Sequence, residues 1–144
     1  MGGRGASSGA SGRNTMKGTE KQIAWAKEIK ASYMSKMGKE FEYLKRIQKT
    51  GSTRDNDEQD YQAAHAFAKI YHPTATFEAV KSDMKTSELY KAFKSTARGT
   101  PERKEAGKAF RSAVASEAIR RLTKAVKKKA AEKSAAKWIE ERMR

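Results

Sequence analysis

A chain of 144 residues with a formal net charge of +15, 37% apolar and 34% charged, has room for one domain with a modest core. Its charge makes polyanions the natural partners to consider. The absence of cysteine excludes disulfides and thiolate metal sites. No apolar run approaches the roughly 18 residues that span a bilayer, and no hydrophobic leader opens the chain, so a cytoplasmic protein with no membrane partner is expected.

Residues 1–17, MGGRGASSGASGRNTMK, are too poor in apolar groups to offset ordering entropy, and read as a disordered, basic Gly/Ser-rich tail. Residues 18–144 read as a single helical domain. Thr19 to Gln22 matches a capping box, and Ile23, Ala26, Ile29, Tyr33 and Met37 then share one helical face, with Trp25 at its margin. Gly38 is expected to end this helix, and a second short one to carry Phe41, Leu44 and Ile47. The stretch TGSTRDNDEQD reads as an acidic loop feeding a helix with Tyr61, Ala64, Phe67, Ala68 and Tyr71 inward, closed by Pro73.

A further turn of helix is expected within TATFEAVKSDM. Ser87 is expected to cap a helix with Leu89 and Phe93 inward, and Gly99 to stop it. Thr100 and Pro101 supply a cap and first residue for a long C-terminal helix. Within that helix the apolar phase shifts: Phe110, Ala113 and Val114 mark one face, Ala115, Ile119, Leu122 and Val126 nearly the opposite one, and Ala135, Trp138 and Ile139 return. Kinks near Ser116 and Lys129, or different partners along one helix, both account for this. No strand-like alternation appears, so the chain is all-α, a compact bundle of about five helices. The large apolar residues Ile23, Trp25, Ile29, Ile70, Phe77, Leu89, Trp138 and Ile139, with those named above, are expected to supply the core.

Trp25 and Trp138 each sit near an isoleucine at opposite ends of the helical region. Packing of the first helix against the last, with both indoles filling the contact, is the simpler reading; exposed stacking platforms for bases are the alternative. The segments that carry them, GTEKQIAWAKEIK and AAKWIEER, resemble a pattern in small phage and mobile-element proteins of Firmicutes, in which a T-E-K-Q-x-x-W-A opening is closed by W-I-x-x-R. The start MGGRGASSG is similar to those of phage-encoded proteins. The resemblance is confined to the two ends, and residues 50–130 have no counterpart in it. It implies a bacterial host cell and a protein that binds DNA or disarms a host defence such as a CRISPR nuclease.

Arg120, Arg121, Lys124, Lys127 and Lys128 fall on one helical stripe opposite Ile119, Leu122 and Val126, and Lys129, Lys133 and Lys137 extend the charge around the helix. Such a row suits successive phosphates, each neutralised one releasing condensed counterions; a merely solvated face gives the same pattern. Net charge is +7 over residues 1–50, −3 over 51–80, +3 over 81–100 and +8 over 101–144, so closure of the termini would pool the cations.

No other motif carries chemistry. His65 and His72 lack carboxylates one turn away and read as packing or surface residues. Asp55, Asp57 and Glu58 lack the glycine and closing glutamate of a calcium loop. GASSGASG lacks the lysine of a phosphate loop, and no nucleophilic triad is spaced recognisably. A membrane-surface role for residues 119–126 is weakened by their small apolar content. The expectation is therefore a non-enzymatic protein without cofactor, metal or small-molecule substrate. It binds nucleic acid, double-stranded DNA foremost, through phosphates with little base reading. An anti-CRISPR-type inhibitor of a host nuclease and a phage structural or assembly component are the alternatives.

Overall fold

The computed structural model describes residues 16–53 and 58–142. Six α-helices lie among them: α1 (Glu20–Thr50), α2 (Glu58–Tyr71), α3 (Phe77–Asp83), α4 (Glu88–Ser95), α5 (Pro101–Ala130) and α6 (Ala135–Arg142), with a 3-10 turn, Met84–Thr86, between α3 and α4. No strand occurs among the described residues beyond an isolated bridge between Lys17 and Ser134. The chain is all-α. No helix among the described residues is long and apolar enough to cross a membrane.

The capping chemistry expected from sequence is in place. Thr19 Oγ1 accepts from the Gln22 N–H at 3.2 Å and Gln22 Oε1 accepts from the Thr19 N–H at 3.0 Å, a reciprocal capping box for α1. Ser87 caps α4 through the Tyr90 N–H, and Thr100 caps α5 through the Arg103 N–H. Thr76 does the same for α3 through the Ala79 N–H, a cap the sequence reading had not singled out.

The break expected at Gly38 does not occur. Ala26, Ile29, Tyr33, Met37, Glu40, Leu44 and Ile47 are buried at spacings of three and four, one uninterrupted stripe along α1. Gly38 falls on the exposed side, with open space where a side chain would project. A glycine there costs about 0.5–1 kcal/mol of helix propensity, which burial on the other face outweighs. The stop is Gly51, at φ +69° just past the last residue of α1, its N–H donating to the Ile47 carbonyl at 2.6 Å.

Of the two interruptions considered in the last helix, the one near Ser116 is absent. Gly107, Phe110, Val114, Ala118, Leu122, Val126 and Lys129 are buried in one continuous row. Ala118 bridges the two apparent faces, so α5 passes Ser116 without a break. The second expected interruption is real and falls a little later: the helix ends at Ala130, and Ser134 caps α6 through the Lys137 N–H.

The described chain divides into two compact units. The first comprises residues 16–33 and 129–142. Here the first and last helices meet: Trp138 is fully buried, edge-on to Tyr33 at 5.4 Å between ring centres, and its Nε1–H donates to the Glu132 carbonyl at 3.1 Å. Trp25 does not share that contact. It is 46% exposed, because Ala26 and Ile29 hold the centre of the buried stripe and Trp25 lies to one side of it. Most of the sequence read as a tail, residues 1–15, lies outside the described residues. Met16 is buried, and Lys17 donates to the Lys133 carbonyl and accepts from the Ala135 N–H.

The second unit comprises residues 34–53 and 58–128. Met37, Leu44, Ile47, Tyr61, Phe77, Val80, Phe110, Val114 and Leu122 are its large buried side chains, with Ala64, Ala68, Ala75, Ala115 and Ala118 buried among them. Alanine thus carries much of the core, as close approach of helices requires. Ile70 and Leu89, expected inside, are exposed, and Phe41, Phe67, Phe93 and Ile119 are half-buried.

Candidate nucleic-acid interface

The apolar row of α5 fixes which of its cations face water. With Leu122 and Val126 buried, Lys124, Lys127 and Lys128 are exposed on the opposite side, at the i, i+3 and i+4 positions that make neighbours on a helix. None of the three has a carboxylate within ion-pair distance among the described residues.

The cations one turn earlier are engaged. Glu117, three and four residues before Arg120 and Arg121, stands in the middle of the same stripe. Arg120 meets it through Nε at 2.8 Å and Nη2 at 2.6 Å, a bidentate pair. Arg121 donates to the same carboxylate through Nε at 2.9 Å, and through Nη1 to Asp83 at 2.8 Å and to the Thr74 carbonyl at 3.0 Å. Hydrogen bonds from Arg120 and then Arg121 hold the Glu117 carboxyl down to about 2, from an ordinary 4.5. Arg121 therefore ties α5 to the α2–α3 turn and to the end of α3, and Arg120 is neutralised at the surface.

The remaining candidates belong to the first unit and differ among themselves. Lys129 is buried: its ammonium pairs with Glu141 at 2.7 Å and lies 4.2 Å from the centre of the Trp138 ring. It is a core cation and not part of an exposed stripe. Lys137 is exposed and lies 3.6 Å from Glu132. The Glu132 carboxyl is lowered chiefly by the Ser134 N–H, with Lys137 adding to the effect. Lys133 is exposed without a carboxylate partner among the described residues, and its backbone joins that of Lys17.

The structure also brings together residues that sequence spacing did not. Glu40 is 2% exposed, at a core position of α1, and its Oε1 lies 2.5 Å from Nδ1 of His65 on α2. The Tyr43 ring stands edge-on to the imidazole, 4.4 Å between centres. These residues open onto a cavity of about 550 Å³ shared with Lys69, Pro73 and Phe77. The partner of His65 comes from another helix, so a search one turn along its own helix could not find it; the available signal was a glutamate on the apolar face of α1. His72 lies just beyond α2 and is half-buried. No group of three or more side chains suited to a metal ion gathers among the described residues. Asp55 and Asp57 lie outside them.

Comparisons with protein-family models, with curated proteins and with solved structures found no match.

Proposed function

We propose that the protein is a non-enzymatic nucleic-acid-binding factor that grips duplex DNA through phosphate contacts made by α5. The observation that carries this reading is the set of exposed lysines, Lys124, Lys127 and Lys128, held on adjoining turns by a buried apolar row and free of carboxylate partners among the described residues. A helix anchored in this way presents its ammonium groups at little further ordering cost. Each phosphate they neutralise releases counterions, which is a salt-dependent gain.

Lys133 and Lys137 belong to the first unit and are not needed for the grip. Lys129 is left out of the interface, being buried, and Arg120 and Arg121 are left out because their charge is already met. Trp25, exposed one turn beyond Lys21, offers a base-stacking surface to an unpaired strand. A phage or mobile-element setting follows the terminal resemblance.

The test is binding of a short duplex, followed by fluorescence anisotropy across a salt series. Three phosphate contacts give a log–log slope of about −3 for duplex DNA. A protein that inhibits a host nuclease by binding it directly needs no such affinity. No binding at low salt, or binding insensitive to salt, removes the phosphate-contact reading and leaves that alternative.

A further inference from the structure

A second group of cations, separate in residues from Lys124, Lys127 and Lys128, surrounds a cavity of about 370 Å³ in the second unit. Among the described residues its lining is Ser52 and Thr53, just past α1, with Lys104, Lys108 and Arg111 on α5. Every one of these side chains is a cation or a hydroxyl. The three cations recur at i, i+4 and i+7, one face of the helix. Gathering them around one cavity sets like charges against each other, and an anion in their midst reverses the sign of that term.

The cavity is built from more than surface lysines. Gly51, at φ +69°, presses against α5 so closely that a side chain on it would lie 2.7–2.8 Å from Lys108 Cβ, Cα and carbonyl oxygen. Arg111 Nε donates to the Gly51 carbonyl at 2.6 Å, which fixes both the guanidinium and the turn that carries Ser52 and Thr53. The one carboxylate within ion-pair distance of these cations among the described residues is Glu105, 3.9 Å from Lys108 with both side chains substantially exposed.

Arg111 also lines a neighbouring cavity of about 290 Å³, whose described lining includes Lys81, Lys85 and Lys94 with Tyr90, Phe93 and Phe110, the Lys94 ammonium lying 5.6 Å from the centre of the Tyr90 ring. One cavity thus offers cations and hydroxyls, the next offers cations over aromatic surface, and a guanidinium belongs to both. We propose that the pair is a nucleotide site. The phosphate sits among Lys104, Lys108, Arg111 and the two hydroxyls, and the base lies against Tyr90. Guanidinium and ammonium donors give short charge-assisted bonds to phosphate oxygens, and an aromatic face accepts any base. The proposal goes beyond the duplex reading and stands without it.

Amide NMR titrations of the full chain with inorganic phosphate, adenosine monophosphate and adenosine test this. Phosphate and the monophosphate should both shift Ser52, Thr53 and Arg111. The monophosphate should also shift Tyr90 and bind about tenfold more tightly than phosphate, as one stacked base implies. Adenosine alone should shift none of the phosphate-side amides. Lys104→Gln with Lys108→Gln, which removes both charges and keeps a polar side chain at each position, should weaken both anions by about tenfold or more. Asp55 and Asp57 follow Thr53 in the chain, so D55N/D57N is titrated beside the wild type. Absence of phosphate-induced shifts in both proteins overturns the site, as do equal shifts in K104Q/K108Q. Equal affinity for phosphate and the monophosphate overturns the base contact. A 5′-phosphorylated hexanucleotide that shifts Ser52, Thr53 and Arg111 at lower concentration than the monophosphate does, while the same strand without its 5′-phosphate leaves them unmoved, identifies a strand end as the source; an equal or weaker effect on those amides identifies a free nucleotide.

Discussion

Arg120 and Arg121 share a helix with Lys124, Lys127 and Lys128 and lie one turn away, yet the two groups differ in what their charge is for. The arginines are met by Glu117 and Asp83, and Arg121 also reaches the Thr74 carbonyl. The lysines meet no carboxylate among the described residues. A stripe of like residues on a helical wheel is therefore not one surface. Its first turn serves packing between helices, and only the later turns are open to a ligand. Lys129 carries the point further, since one residue beyond Lys128 the same residue type is buried above an indole.

That contrast can be broken by substitutions that act on one side of it. The largest loss of stability should follow Trp138→Ala, which empties the centre of the first unit. About 3–5 kcal/mol is expected by chemical denaturation, with phosphate binding by α5 unchanged in whatever fraction stays folded. Lys129→Ala, which leaves Glu141 without its partner and Trp138 without its cation, should cost about 1–3 kcal/mol. The reverse pattern is expected of K124E/K127E/K128E. Its melting temperature should stay near wild type, while duplex affinity collapses and the salt slope flattens by up to about 3.

Smaller effects sharpen the same division. Arg121→Ala should cost about 1 kcal/mol, because it removes one donor from three acceptors, and should leave the salt slope intact. Acid should expose Glu117. Its folded-state value of about 2 lies below the ordinary 4.5, so its pairing stabilises fully above 4.5 and is lost as pH falls from there toward 2. Thermal melts over that interval should fall less steeply for Glu117→Gln than for wild type. Arg120→Ala, at the exposed end of the pair, should leave DNA binding unchanged and lower stability less than Arg121→Ala does, because solvent screens its pairing with Glu117. Should Arg120→Ala weaken DNA binding as much as a lysine substitution, the stripe acts as a unit and its first turn is part of the interface.

Much of the local architecture was legible in the residues. Thr19, Ser87, Thr100 and Pro101 start helices where their hydrogen-bonding and fixed φ predict, because a cap is satisfied within four residues of itself. Breaks were less legible. Gly38 was read as a stop from its residue type, but whether glycine ends a helix depends on what the neighbouring turns bury. Ala118 hid the continuity of α5 in the same way, since an alanine signals neither core nor surface. Of the candidate site, the exposure of Lys124, Lys127 and Lys128 could be read from the apolar row opposite them. Lys129 could not be told from its neighbours, because the indole and carboxylate that receive it arrive from α6.

What the sequence determined by itself was the all-α class, most helix starts and the excess of positive charge, all properties of short segments or of composition. Tertiary structure alone decided which cations remain available, that Trp138 is core while Trp25 is not, and that Glu40 meets His65 beside a cavity. These depend on pairs of residues distant in the chain, and the free energy of a buried or paired charge is set by the partner that folding brings to it.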